Sequence, residues 1–468
     1  MTAPAADLLA AVFKAYDVRG TVPDQIDEDL ARAVGAAFVA VTGAAGAGVV
    51  VGHDMRPSSP GLARAFADGA TRAGADVTMI GLASTDQLYF ASGHLGVPGA
   101  MFTASHNPAQ YNGIKMCRAH AVPLGMETGL AEVRDLVATG ELPAAPTPGT
   151  VVERDVLEDY ARHLRGLVPA SAGGPGRGRP LTVVVDAGNG MAGHTAPAVL
   201  AGPDSGLELV PMYFELDGSF PNHEANPIDP ANLVDLQARV RETGADLGLA
   251  FDGDADRCFV IDERGEPVSP SAITALVAAR EIAKEKARGR TATVIHNLIT
   301  SRAVPELVRE LGGTPVRTRV GHSFIKATMA ETDAVFGGEH SGHFYFRDFW
   351  RADSGMLAAL HVLAALAETE RPLSDLLAEF ARYVDTGEIN STVDDQAAVL
   401  ADLEQEYAGR AGVRIDHLDG LSVLHDEWWF NVRASNTEPL LRLNAEAGDQ
   451  QTLERLRDEV LGTIRRKR

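Results

Sequence analysis

Residues 101–116 read MFTASHNPAQYNGIKM and predict a strand that runs into a loop. The residues from position 97 onward are apolar, Pro108 cannot continue a strand ladder, and an Asn-Gly pair marks a turn. This pattern predicts that Ser105 lies exposed at the end of a strand, with Lys115 returning beside it as a cation. An ordinary turn, in which the Ser105 hydroxyl bonds to nearby backbone, is the competing interpretation of the loop taken alone.

Strand and helix patterns alternate on both sides of this loop. Apolar strand patterns occupy 48–54, 76–81, 97–102, 181–187, 245–251, 291–297 and 333–339, and helical patterns occupy 27–41, 59–73, 155–166, 230–243, 270–287, 302–311 and 353–368. Such alternation is typical of mostly parallel sheets that are covered by helices on both faces. The last part of the chain differs, because it predicts antiparallel strands followed by a closing helix at 449–465.

We therefore predict an α/β protein of three similar α/β domains with mixed sheets, followed by a C-terminal α+β domain. A Pro-rich break, LPAAPTPGT, marks the end of the first domain. The predicted domains span residues 1–150, 151–263, 264–382 and 383–468.

Composition and charge limit the classes of partner. The chain has 468 residues, 45% of them hydrophobic, and its 42 basic and 64 acidic residues give a formal net charge of -22. That balance argues against nucleic acid and anionic membranes as partners. Cys117 and Cys258 form neither a disulfide framework nor a metal-ligand spacing, and no run approaches the roughly 18 apolar residues of a membrane span. Because the N-terminus also lacks the pattern of a signal peptide, we expect a cytoplasmic protein.

A second chemical signal is DGDADR, which follows an apolar strand pattern. Asp252, Asp254 and Asp256 at alternate positions of an extended loop point to one side, where three like charges would raise one another's pKa. A hard divalent cation removes that conflict, and Mg²⁺ with oxygen ligands is the natural choice. A calcium loop ending at Glu263 is less consistent with the pattern, because Arg257 stands where that loop needs glycine. A solvated acidic turn is the simplest alternative.

Two later loops offer groups that suit a phosphorylated sugar. GGEHSGH presents alternate polar side chains that donate and accept hydrogen bonds, and VRASNTEP offers a guanidinium, hydroxyls and backbone N–H groups for phosphate. The candidates are Glu339, Ser341 and His343 in the first loop and Arg433, Ser435, Asn436 and Thr437 in the second. Polar turns without a ligand are the alternative for both loops. A GxGxxG pattern at 188–193 permits a dinucleotide site but favours a tight strand-to-helix turn.

The chain contains, in this order, FKAYDVRG, TASHNPAQYNGIK, DGDADR, VGHSFIK, GGEHSGHFYFRDF and RASNTEP. Together these segments resemble the α-D-phosphohexomutase family over nearly the whole chain, and within it the phosphomannomutases and phosphoglucomutases. The resemblance implies four domains around a central cleft, with the last domain binding phosphate. It also implies an isomerase that interconverts mannose 1-phosphate and mannose 6-phosphate, and the glucose phosphates as well, through a phosphoserine, Mg²⁺ and a hexose 1,6-bisphosphate.

The resemblance further implies roles for individual residues. Ser105 is the phosphoserine, and it holds Mg²⁺ together with Asp252, Asp254 and Asp256. The implied acids, bases and cationic groups of the reaction are Arg19, Lys115, His322 and His343. The implied contacts to the sugar phosphate are Tyr16, Arg257, Glu339, Ser341, His343, Arg433, Ser435, Asn436 and Thr437.

Three alternatives to this function stay open in the sequence. His340 stands where many phosphomannomutases carry methionine, so the sugar preference is undecided and a phosphoglucosamine mutase is one alternative. A magnesium- or nucleotide-binding module without mutase activity is a second, non-enzymatic one. A serine hydrolase using Ser105 and His106 is disfavoured, because neighbouring residues on an extended chain point to opposite sides and no GxSxG elbow is present. The sequence does not determine an oligomeric state.

Overall fold

The structure is a computed structural model, and it describes residues 5–168, 179–202, 205–434 and 440–466. The chain divides into two units. The first unit comprises Met1–Val268 and Ser341–Ser374, and the second unit comprises Ser269–His340 and Asp375–Arg468. Within the described ranges, no helix is both long enough and apolar enough to cross a membrane.

The first sheet holds the Ser105 loop between two antiparallel neighbours. Its strands are β1 (Asp17–Thr21), β2 (Gly48–His53), β3 (Asp76–Leu82), β4 (Gly99–Phe102), β5 (Tyr111–Arg118), β6 (Val122–Pro123) and β7 (Val151–Glu153), and its helices are α1 (Ala6–Val12), α2 (Glu28–Thr42), α3 (Ser59–Arg72), α4 (Thr85–Leu95) and α5 (Leu130–Thr139). The strand order is β1-β5-β4-β2-β3-β7, with β6 paired to β5. Strand β2 is parallel to β3 and β4, whereas β5 is antiparallel to β1 and β4. The sheet is therefore mixed.

Close packing of α2 and α3 against this sheet anchors the strand that precedes Ser105. A Cβ atom on Gly69 of α3 would lie 1.9 Å from the carbonyl oxygen of Arg32 on α2, so glycine is needed for the helices to approach. The ring of Phe66 packs against those of Phe38 and Phe102, with centroids 5.6 Å apart in both pairs. Because Phe102 is the last residue of β4, this core fixes the start of the loop.

The second sheet belongs to the same unit and carries the DGDADR segment. Its strands are β8 (Leu181–Asp186), β9 (Leu207–Met212), β10 (Leu247–Phe251), β11 (Cys258–Ile261) and β12 (Pro267–Val268), and its helices are α6 (Leu157–Leu167), α7 (Ala192–Leu200) and α8 (Val234–Thr243). The order is β12-β11-β10-β8-β9, with β8 parallel to β9 and β10, and β11 antiparallel to β10 and β12. The GxGxxG segment is the turn between β8 and α7, as the sequence favoured. A Cβ on Gly190 would lie 2.7 Å from the Gly253 carbonyl oxygen, so this glycine permits contact with the acidic loop.

Residues 269–374 are shared between the two units. In chain order they form α9 (Pro270–Ala287), β13 (Thr293–Asn297), α10 (Ala303–Glu310), β14 (Thr314–Thr318), α11 (His322–Thr332), β15 (Phe336–Gly338), β16 (Phe344–Phe346), β17 (Ala352–Asp353) and α12 (Gly355–Ala367). In the second unit, β13 is parallel to β14 and β15. In the first unit, β16 and β17 form an antiparallel pair.

The remaining residues of the second unit form an antiparallel sheet with helices. After the short helix α13 (Leu373–Leu377) come β18 (Val384–Thr392), α14 (Gln396–Tyr407), β19 (Arg414–Asp416), β20 (Leu421–Leu424), β21 (Trp428–Ala434), β22 (Leu440–Ala447) and α15 (Gln450–Arg465). The strand order is β18-β22-β21-β20-β19, and every pair is antiparallel. The α+β class of the last domain was therefore correctly predicted.

The fold class is confirmed, but the sequence analysis missed several helices. Helix α4 has no apolar stripe, because Thr85, Asp86 and Gln87 in its first turn are buried along with its apolar residues. Helix α14 was overlooked although its buried residues Val399 and Leu403 follow helical spacing. Cys117 and Cys258 are free and buried, in agreement with the absence of a disulfide framework. The four domain boundaries remain predictions.

Candidate active site

Ser105 lies in the loop between β4 and β5, and it is buried. The prediction that Ser105 is exposed was wrong, since only 3% of the residue is accessible. Its hydroxyl donates to Asp252 Oδ2 at 2.6 Å, and its backbone N–H donates to Thr103 Oγ1 at 2.9 Å. A Cβ on Gly253 would lie 2.4 Å from the Ser105 carbonyl oxygen, so the acidic loop covers the serine. The residues that bury Ser105 lie about 150 positions away in the sequence, so the pattern of residues around Ser105 could not predict its burial.

The backbone of Ser105 is left-handed, with a φ of 50°. This conformation turns the chain and brings His106 Nδ1 to 3.2 Å from Ser105 Oγ. The expectation that the two side chains point to opposite sides was therefore wrong, because it assumed an extended chain. The positive charge of Arg257, followed by burial, holds the pKa of His106 well below its usual range. What still disfavours a serine hydrolase is the missing GxSxG elbow, together with a carboxylate directly on the hydroxyl.

The turn between β10 and β11 brings together the three predicted carboxylates. Asp252, Asp254 and Asp256 are buried, and each offers an oxygen within 4.8 Å of the others. Lys115 Nζ donates to Asp254 Oδ2 at 2.7 Å and to Asp256 Oδ2 at 2.6 Å. The returning cation that the sequence predicted beside Ser105 therefore binds two of the three carboxylates.

The charges of this cluster shift the pKa values of its members in opposite directions. Burial, and then the neighbouring Asp256 and Asp254, raises the pKa of Asp252 well above its usual range. Burial acts in the same direction on Asp256, but the positive charge of Lys115 opposes it, and the pKa of Asp256 lies well below its usual range. Among these carboxyl groups, Asp252 is therefore the one whose pKa is raised by the close approach of like charges.

The cluster fits a divalent cation. Among the described residues, Asp254 Oδ1 is a buried carboxylate oxygen without a hydrogen-bond partner, whereas Asp254 Oδ2 accepts from Thr85 Oγ1 at 2.6 Å and from Lys115. Buried carboxylate oxygens are the ligands that hard divalent cations prefer. The acidic cluster is therefore compatible with metal binding.

Further predicted residues surround Ser105 within the first unit. Arg19 on β1 donates to the Ala104 carbonyl oxygen at 3.1 Å and to Asn107 Oδ1 at 2.5 Å, on both sides of the serine. Its strand pairs antiparallel with β5, which carries Lys115. Tyr16 lies half-buried in the turn that precedes β1.

The predicted residues Ser341 and His343 lie in the segment that precedes β16, beside the three carboxylates. His343 Nε2 lies 3.4 Å from Asp256 Oδ1 and accepts from Arg257 Nε at 3.3 Å, and its Nδ1 lies 3.0 Å from Ser341 Oγ. Asp353 Oδ2 is 3.9 Å from the same His343 nitrogen. Arg257, Ser341 and His343 thus share one hydrogen-bonded group beside the carboxylates.

The other predicted residues belong to the second unit. Glu339 is buried, and its Oε1 accepts from Asn297 Nδ2 and from the backbone N–H of Gly321, both at 3.2 Å. Arg433 on β21 donates to Glu388 Oε2 at 2.5 Å and to Asn444 Oδ1 at 2.8 Å. His322 begins α11, and its side chain is not among the described features. Ser435, Asn436 and Thr437 lie outside the described residues.

Sequence reasoning missed several residues of the site in the first unit. Asp54 and Arg56 directly follow β2 and are buried, Thr85 binds Asp254, and Asp353 lies near His343. Asp54 and Arg56 had a usable signal, because polar residues at the carboxyl end of a parallel strand commonly line a site. Thr85 had none, since its partner Asp254 lies 169 positions away in the sequence.

Comparison with known proteins agrees with this arrangement. Family models described as phosphoglucomutase/phosphomannomutase match in four parts: alpha/beta/alpha domain I over residues 10–143, domain II over 158–265, domain III over 270–383, and the C-terminal domain over 388–463. A protein named phosphohexose mutases from Xanthomonas campestris pv. campestris is 40% identical over 456 residues, covering 97% of this chain and 99% of its own. A phosphomannomutase from Escherichia coli is 38% identical over 461 residues, covering 97% and 99%.

A solved structure supports the same assignment. The crystal structure of a phosphoglucomutase/phosphomannomutase family protein from Burkholderia thailandensis has a TM-score of 0.85 and 33% identity, and the match covers 97% of both chains. Both the domain matches and the full-length relatives point to an enzyme of the phosphohexomutase class. The chain belongs to the phosphoglucomutase/phosphomannomutase family, which confirms the family and enzyme class that the sequence motifs predicted.

Proposed function

We propose that the protein interconverts mannose 1-phosphate and mannose 6-phosphate, and the corresponding glucose phosphates, through a phosphoserine at position 105 and a hexose 1,6-bisphosphate. The observation that carries this proposal is the 2.6 Å contact between Ser105 Oγ and Asp252 at the edge of a buried cluster of three carboxylates. A hydroxyl in that position can carry a phosphoryl group between the carboxylate-bound cation and the surrounding cationic side chains. Membership of the family supports the same chemistry.

In the first transfer, the free hydroxyl of a hexose 1-phosphate attacks the phosphorus on Ser105. A P–O bond to the sugar forms, the P–Oγ bond breaks, a base takes the hydroxyl proton, and Ser105 Oγ regains a proton. His106 Nδ1, at 3.2 Å, is close enough to exchange that proton with Oγ. The bisphosphate then turns over and returns its other phosphoryl group to Ser105, so phosphate has moved between O1 and O6.

The four residues that were predicted as acids, bases or cationic groups of the reaction differ in whether they can give up a proton. Lys115 and Arg19 act as fixed cations that stabilise the phosphoryl oxygens, because a guanidinium keeps its proton and the two salt bridges of Lys115 favour its ammonium form. His343 and His322 are then the candidates for the base that takes the sugar proton. The hydrogen bond from Arg257 to His343 Nε2 supports His343, because it requires an acceptor at that nitrogen.

We propose Mg²⁺ as the cation, held by Asp252, Asp254, Asp256 and an oxygen on Ser105. All of these ligands are oxygen atoms, which suits a hard cation. When bound, Mg²⁺ supplies positive charge to the phosphoryl oxygens and neutralises the carboxylates.

For the rest of the substrate, we propose that Tyr16, Arg257, Glu339, Ser341 and His343 contact the sugar and its reacting end. Arg433, with Ser435, Asn436 and Thr437, is proposed to bind the phosphate that does not react. The two buried free cysteines are consistent with the cytoplasmic location that we propose.

Phosphorus NMR of the protein with Mg²⁺ and catalytic hexose 1,6-bisphosphate tests the function. Mannose 1-phosphate, glucose 1-phosphate and glucosamine 1-phosphate are supplied separately, and Ser105→Ala is the control. We expect conversion of mannose 1-phosphate and glucose 1-phosphate by the native protein only. Preferred conversion of glucosamine 1-phosphate would support the phosphoglucosamine alternative, and conversion of no sugar would support a binding module.

A further inference from the structure

Arg56 is a buried arginine directly behind the serine loop. It follows β2 by three residues and has no accessible surface. Its Nη1 donates to the carbonyl oxygens of Pro108 at 2.8 Å and Tyr111 at 3.0 Å, and its Nη2 donates to those of Ser105 at 2.9 Å and Asn107 at 2.6 Å. Four carbonyl groups of the segment 105–111 therefore accept from one guanidinium.

This arrangement matches what the loop requires. Residues 103–110 connect β4 and β5, and backbone hydrogen bonds satisfy only part of this loop: Gln110 accepts from the N–H of Val22, and Ala104 accepts from the N–H of Asn107. The carbonyl group of the buried Ser105 needs another donor. The planar guanidinium carries five N–H donors in a fixed fork and can serve several carbonyls at once. The left-handed backbone of Ser105 is a conformation that a non-glycine residue keeps only when its surroundings hold it. Arg56 supplies that hold at the carbonyl of the serine itself.

Neighbouring groups fix Arg56 in turn. Asp54 Oδ2 lies 3.3 Å from Arg56 Nε, and Asp54 Oδ1 accepts from the backbone N–H of Arg56 at 3.0 Å and from Ser59 Oγ at 2.6 Å. On its other side, the Arg56 guanidinium lies 5.1 Å from the centroid of the Phe220 ring. A Cβ on Gly218 would lie 2.7 Å from Arg56 Cα, so the loop that carries Phe220 packs directly on Arg56.

We propose that Arg56 is the positioning residue of the phosphoryl-carrying serine: it sets the direction of Ser105 Oγ toward Asp252 by holding the carbonyl groups on both sides of the loop. The inference rests on the proposed function and adds a residue that contacts neither sugar nor transferred phosphate. Because Arg56 binds the loop of domain 1 and lies under a ring of the following domain, it also keeps the serine in register with the acidic loop.

Arg56→Met and Arg56→Lys test this role. Methionine removes all four hydrogen bonds, and lysine keeps the charge but has one nitrogen that cannot reach four carbonyls. Since a 1 Å misplacement of reacting groups costs about 100-fold in rate, we expect kcat and the single-turnover rate of Ser105 phosphorylation by glucose 1,6-bisphosphate to fall about 100-fold in both variants. KM for the sugar phosphate should change much less, because ground-state binding is retained.

Arg118→Met is the matched control. Arg118 also donates to carbonyl oxygens of the first domain, those of Val41 and Thr128, but none of these lies in the serine loop. The Arg118→Met variant should be less stable than the wild type, but its kcat should not fall as that of the Arg56 variants does. This comparison separates a structural role from positioning. Phe220→Leu keeps every hydrogen bond of Arg56 and should lower kcat severalfold in a folded protein, even where Arg56→Met fails to fold.

The outcomes separate the inference from the proposed function. Arg56→Lys with native kcat and a native phosphorylation rate, beside an active wild type, would overturn the positioning role alone, and native kcat in Phe220→Leu would overturn the contribution of the ring. Equal losses of kcat and rises of KM in the Arg56 and Arg118 variants would also overturn it. A wild-type protein that is never phosphorylated at Ser105 would overturn both the proposed function and the role of Arg56.

Discussion

Lys115→Met removes the ammonium that lies on the acidic cluster and tests the electrostatics of the site. Asp254 has no accessible side-chain surface, Asp256 has 2%, and Lys115 Nζ lies 2.7 and 2.6 Å from their oxygens. Breaking a buried ion pair by removing one partner typically costs 3–5 kcal/mol, because the other charge stays buried and unpaired. We therefore expect unfolding of the first unit, in the presence of a chelator, to become easier by about 3–5 kcal/mol.

Adding Mg²⁺ should reverse much of this loss, because a divalent cation takes over the neutralisation of the same carboxylates. The assay is denaturant unfolding of the wild type and of Lys115→Met, each with chelator and with Mg²⁺. Arg162→Met is the control, because the ion pair of Arg162 with Asp159 on α6 is largely exposed and contributes about 0–1 kcal/mol. If Lys115→Met were as stable as the wild type in chelator, or if Mg²⁺ stabilised both proteins equally, the account of the cluster would be refuted.

Three further predictions concern single side chains. Asp252→Asn should weaken Mg²⁺ binding in calorimetry and slow phosphorylation of Ser105 by at least about 100-fold, because it removes the negative charge of a ligand and leaves one amide oxygen where two carboxylate oxygens accept from Ser105 Oγ and from the Arg257 N–H. Unchanged Mg²⁺ affinity would contradict the assignment. Burial raises the pKa of Asp86 to about 6, so its contribution to stability is present at low pH and is lost as pH rises from about 4 to about 6. Acidification from about pH 6 to about pH 4 should therefore raise the unfolding free energy of the wild type by up to about 3 kcal/mol more than that of Asp86→Asn. Denaturant titrations that give both proteins the same pH dependence would count against the raised pKa of Asp86. Arg433→Lys should raise KM for the sugar phosphate by about 10-fold or more with a smaller effect on kcat, since lysine cannot form the bidentate phosphate contact, and steady-state kinetics with an unchanged KM would remove Arg433 from the binding site.

The alternation of strands and helices was sufficient to predict the fold class. Helix α2 was expected over 27–41 and spans Glu28–Thr42, because its apolar residues recur at helical spacing. Helix α4 was missed for a physical reason: Asp86 is buried and bound by the hydroxyls of Tyr160 and Ser354, so a polar residue stands where a helical pattern needs an apolar one. Such partners lie far away in the chain and are invisible to a local pattern.

For the site, sequence motifs predicted the residue types better than their environment. The DGDADR spacing led to the three carboxylates that converge, and the position of Lys115 led to the cation that binds them. The burial of Ser105 was missed, because Gly253 and Asp252 cover it from another domain. Its left-handed backbone was also missed, since a Thr-Ala-Ser-His segment carries no glycine that would announce a positive φ.

The central claim is that Ser105 carries the transferred phosphoryl group. The most direct measurement is mass spectrometry of the intact protein and of its peptides after incubation with glucose 1,6-bisphosphate and Mg²⁺, followed by addition of mannose 1-phosphate. We predict one phosphoryl group on Ser105 that is lost to the sugar on addition, and none on Ser105→Ala. Turnover of the sugar phosphate with Ser105 unmodified throughout, or by the alanine variant at the native rate, would contradict the account.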